Sequence, residues 1–88
     1  MSDIPARDGH QRSLVIGLMK LIAVHSYSVT IAFRVEFLHL KENRILRARI
    51  FEKSPIFSRV PNLKVDKDYV VVGWLTENNH IIEVIDVC

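Results

Sequence analysis

Eighty-eight residues set this chain at one domain, and an apolar content of 49% excludes a disordered polymer and provides for a core. A formal net charge of +2 makes no case for nucleic acid by itself, and a single cysteine, Cys88, excludes an internal disulfide. A chain of this size buries only about 60–65% of its unfolded surface, so its stability margin is small.

The distribution of charge says more than its sum. Residues 34–67 hold nine Lys/Arg against four Asp/Glu, whereas residues 68–88 hold four acids and no Lys or Arg. This pattern suits either a basic hairpin beside an acidic one or a basic binding surface. Small secreted domains are usually stapled by disulfides, so one cysteine favours a reducing, intracellular compartment.

Residues 1–12 are polar, carry Pro5 and Gly9, and read as a flexible tail; residues 13–88 read as the domain. The apolar run Leu14–Val24 lies behind Arg7 and Arg12 and is interrupted by Lys20. It is too short to span a bilayer and no small-x-small cleavage site follows, so it reads as a packed element of the domain. Ser13 would cap a helix with Leu14, Leu18, Leu21 and Ile22 as its stripe, while Val15, Ile16, Ile22 and Val24 suit a strand. The run is apolar nearly all round, and strand is preferred because everything after it is β.

Residues 27–40 alternate, with Val29, Ile31, Phe33, Val35 and Phe37 on one face, and predict a long strand bent near Ala32. Lys41-Glu42-Asn43 makes a turn. Residues 44–53 predict the next strand, with Leu46, Ala48 and Ile50 inward and Arg47 and Arg49 outward. Ser54-Pro55 ends it, because proline has no ladder donor. Ile56 and Phe57 form a short strand or an apolar plug, and Pro61–Asp68 connects. The final hairpin pairs about 69–76 with about 80–87 across an Asn78-Asn79 turn. Val70 and Val72 are expected inside, and Gly73 marks a crowded, sharply coiled position. The fold class is therefore all-β, a small five-stranded OB-like barrel, with a helix at residues 13–24 as the one variant.

Phe33-Arg-Val-Glu-Phe-Leu, Arg47-Ala-Arg-Ile-Phe-Glu-Lys-Ser and Val60-Pro-Asn-Leu-Lys-Val-Asp-Lys-Asp-Tyr-Val-Val-Val-Gly resemble segments of the netrin-like module. That module occurs in tissue inhibitors of metalloproteinases, netrins, complement components and procollagen proteinase enhancers. The resemblance implies an OB-like barrel and a secreted protein. Its hallmark cysteines are absent: Val60 stands where a cysteine often precedes Pro61. The zinc-chelating Cys-x-Cys of the inhibitors has no counterpart either, so no inhibitory residue carries over.

No catalytic constellation emerges. His10, His25, His39 and His80 lie in separate segments without zinc-site spacing, so no metal is assigned. There is no nucleophile elbow and no phosphate-binding glycine loop, so neither an enzymatic role nor a cofactor is assigned. The functional expectation is a non-enzymatic binding module acting through a protein partner, with Arg34, Arg47 and Arg49 as its basic face. One alternative is an OB-fold that binds single-stranded nucleic acid, with Phe57 and Trp74 as contacting aromatics. Another is a structural subunit oligomerising through residues 13–24. An exposed aromatic beside the arginines would speak for nucleic acid, and an apolar patch for protein.

Overall fold

A computed structural model describes residues 12–76 and 81–88. The expected tail lies outside them, apart from Arg12, which already opens the first strand; the Asn78-Asn79 turn and His80 also lie outside them. Five strands follow in order: β1 (Arg12–Tyr27), β2 (Ala32–His39), β3 (Arg44–Phe51), β4 (Asp68–Thr76) and β5 (Ile81–Val87). A 3-10 helix, Phe57–Asn62, lies between β3 and β4. The strands close into a barrel in the order β1-β2-β3-β5-β4, the Greek-key order of an OB-like barrel.

Residues 13–24 are strand throughout, the preferred of the two readings. The reason is tertiary: β1 is long enough to serve two neighbours. Arg12–Lys20 pairs with β4, and Met19–Tyr27 pairs with β2. The change of partner coincides with a bulge between Leu21 and Ala23, where Leu21 exchanges backbone hydrogen bonds with Asp66 and Lys67 in the loop before β4. A bulge bends and twists a strand, which lets one strand turn the corner of a small barrel. The bend therefore falls on β1 and not near Ala32.

The strand expected over 27–40 is shorter at its start. Val29 is 93% exposed and Ile31 is also exposed, because β1 runs on to Tyr27 and residues 28–31 must reverse the chain. Their alternation with Phe33 was that of a turn abutting a strand. Val35, Phe37, Leu46, Ala48 and Ile50 are buried as expected, and Phe33 is half-buried. Val70 and Val72 were expected inside, but Val70 is exposed and Val72 is only half-buried. Tyr69, Val71, Gly73 and Leu75 take the interior instead. A run apolar at every position carries no phase of its own. The phase is set by Tyr69, whose buried ring places its hydroxyl 2.9 Å from the Lys64 amide, which donates to it.

The core runs between the barrel walls, with Met19, Leu21, Val35, Phe37, Leu46, Val71 and Ile82 fully buried. Ile56 and Val60 are buried in the same core, so the segment after β3 packs as an apolar plug, in 3-10 form and not as a strand. Among the described residues, β3 meets β5 through one parallel bridge, Arg47 to Ile81. No helix among the described residues is long and apolar enough to cross a membrane.

Candidate functional site

The β2–β3 ladder determines where the arginines stand. Phe33 faces Ile50, Val35 faces Ala48 and Phe37 faces Leu46, and these pairs point inward. The intervening residues must then point outward, because side chains alternate across a strand. Arg34 is directly opposite Arg49, and Glu36 is directly opposite Arg47. All three arginines are exposed. The β1–β2 register extends the Arg34 row by one strand, to the exposed His25.

Aromatic side chains border this row. Phe51 is 53% exposed and shares the outward parity of Arg47 and Arg49. Tyr27 lies under the Arg49 guanidinium, 5.8 Å from its ring centroid, a cation–π geometry. Arg34, Arg47, Arg49, Phe51 and Ile81 line a shallow groove of about 400 Å³. No carboxylate among the described residues comes within ion-pair distance of the three arginines; the ion pairs present are Arg12–Glu83, Arg44–Glu42 and Arg59–Asp86.

The two aromatics expected to accompany the arginines lie elsewhere. Phe57 is half-buried, with its ring 5.0 Å from that of Phe33 and packed against the core. Trp74 faces outward on β4, opposite Leu14 and Glu83, with the Arg12 guanidinium 5.4 Å from its ring. The structure brings Arg34, Arg47 and Arg49 to one face and leaves Phe57 and Trp74 off it. Phe51 was within reach of the sequence, since the alternation that turns Arg47 and Arg49 outward turns residue 51 outward too. Tyr27 was not, because its place depends on two registers.

The two histidines among the described residues stay apart: His25 is exposed on the outer face, and His39 is buried at the end of β2. Among the described residues no group of three or more His, Cys, Asp or Glu is placed to hold a metal ion. The titration of Asp86 is displaced. The hydrogen bond from Arg59 holds it below the usual carboxylate range, helped by the Val87 amide, which donates at 2.9 Å. That pair ties the 3-10 helix to β5, away from the arginine face.

No protein family, characterised protein or solved structure matches this chain.

Proposed function

We propose that the protein is a small non-enzymatic binding module that takes single-stranded nucleic acid on the outer face of β2 and β3. The observation that carries this reading is the exposed Phe51 in one groove with Arg34, Arg47 and Arg49. A single strand needs cations along its phosphates and a π-surface for its bases, and both are side by side here. Arginine suits the task because its planar guanidinium forks onto phosphate and stacks on rings. The β2–β3 wall is also where OB barrels commonly take oligonucleotides.

The test is fluorescence anisotropy with a short single-stranded oligonucleotide across salt concentrations. Three phosphate contacts predict a slope of log affinity against log salt of about −2, since each single-strand contact contributes roughly 0.7. Phe51→Ala should weaken binding by roughly tenfold or more, the range of one stacked base. A flat anisotropy at low salt rejects the reading.

The protein-partner reading has its own support: Leu14, Ile16 and Leu18 on β1 and Val70 on β4 are exposed apolar side chains. A netrin-like ancestry would account for the barrel while supplying no inhibitory residue.

A further inference from the structure

The outer face of β1 and β4 is apolar between the charged ends of its paired length. Leu14 is opposite Trp74, Ile16 opposite Val72 and Leu18 opposite Val70. Ile16 is 65% exposed, Leu14 and Leu18 are about half exposed, and Val70 is exposed as well. No charged residue lies between Arg12 and Lys20 on β1 or between Asp68 and Thr76 on β4. Monomeric domains rarely leave so continuous an apolar surface bare.

We propose that this face is the interface of a symmetric dimer, covered by the same face of a second copy. The area fits. The six side chains present roughly 500 Å² to solvent, so two copies face to face would remove about 1,000 Å², the lower bound for a specific interface. The charges fit as well. One end of the patch carries Arg12 with Glu83, 2.6 Å apart, and the other carries Lys20 opposite Asp68. Each end holds one positive and one negative group. A two-fold axis that reverses the strands therefore sets end against end without an excess of like charge, as a self-complementary interface requires. An apolar face with balanced ends offers little to a polyanion and much to its own copy.

The strand order places this surface on a different wall of the barrel from the β2–β3 face. The dimer would then present two arginine faces, and a strand long enough to reach both would bind with avidity.

Sedimentation equilibrium of the full chain over the micromolar range tests the proposal. The expected result is a reversible species of twice the chain mass. Ile16→Lys should weaken it by roughly a hundredfold or more, because two lysines would enter one apolar contact. Its far-UV spectrum and its oligonucleotide affinity per chain should be retained. Should Ile16→Lys fail to fold, Ile16→Thr decides, since it keeps the β-branched shape and is expected to weaken the dimer by roughly tenfold. A chain that stays monomeric at high micromolar concentration, or forms only polydisperse aggregate, overturns the dimer; so does a folded Ile16 variant that dimerises like the parent. Loss of oligonucleotide binding by Arg47→Glu with Arg49→Glu in a chain that still dimerises would separate the two surfaces.

Discussion

Arg34 and Arg49 stand directly opposite each other on β2 and β3, both exposed, with no carboxylate within ion-pair distance among the described residues. Like charges in directly opposed strand positions are unfavourable. One row along, Glu36 opposes Arg47 and offsets it. The β2–β3 ladder therefore contains one cross-strand pair of opposite charge and, beside it, one pair of like charge that an anionic ligand would relieve.

Arg34→Glu should separate stability from binding. It places opposite charges across the ladder and is expected to raise the unfolding free energy by roughly 0.2–1 kcal/mol at low salt. The gain should shrink as salt screens it. Oligonucleotide affinity should fall in the same variant. Denaturant melts and anisotropy on one preparation check both signs, and a variant with neither change would make this row an ordinary solvated surface.

Gly73 has no room for a side chain. A Cβ built there would lie 2.7 Å from the Glu83 carbonyl oxygen and 2.7 Å from Ile82 Cγ1. Ile82 can change rotamer, but the carbonyl belongs to the β4–β5 ladder next to the register shift between Val72 and Gly73. Gly73→Ala is expected to cost roughly 1–3 kcal/mol, and Gly73→Val at least as much. An unchanged denaturation midpoint would show that the ladder yields freely.

Acid should loosen the tie between the 3-10 helix and β5. The Arg59 hydrogen bond is the largest cause of the lowered Asp86 pKa. A carboxylate with a depressed folded pKa contributes stability that is present above its unfolded value of about 3.9. That contribution is lost as pH falls through the lower folded value. Arg59→Gln removes the main cause, so the Asp86 titration, followed by carboxyl NMR, should move up toward the usual range. A titration that stays where it was would assign the shift to the Val87 amide instead.

Alternation made the β2 and β3 walls legible where each strand carried apolar residues on one parity and charged ones on the other. Arg34, Glu36, Arg47 and Arg49 mark the outside unambiguously, so the arginine face could be placed by counting. Where both parities were apolar, as in Tyr69–Trp74 and Leu14–Val24, counting had no phase to read. There the inside was chosen by tertiary facts: the Tyr69 hydroxyl under the Lys64 amide, the crowding at Gly73, and the bulge that hands β1 from β4 to β2. The same ambiguity hid the outer face of β1 and β4, since a run apolar on both sides reads as buried on both. Val29 and Ile31 failed for another reason: a turn can continue a strand's alternation, and nothing local marked residues 28–31 as the reversal.

The contact between Gly17 and His39 gives the last prediction. His39 is buried at the end of β2, and its Nδ1 lies 3.4 Å from the Glu42 amide, a long hydrogen bond at most. Its imidazole occupies the space that Gly17 leaves on β1: a Cβ at residue 17 would lie 2.8 Å from Nε2 and 3.2 Å from Cε1. Gly17→Ala must therefore displace the ring, at an expected cost of about 1–3 kcal/mol. His39→Ala leaves a void where the ring was and should cost a similar amount. Each change removes the reason the other is harmful, since the new methyl enters the space the ring vacates. The double variant should then be more stable than the sum of the two losses by roughly 0.5–3 kcal/mol, the range for residues in direct contact. Denaturant unfolding of the parent, both single variants and the double variant closes the cycle. Simple additivity would mean that the ring moves aside without cost and that the close approach of β1 to the end of β2 does not depend on this pair.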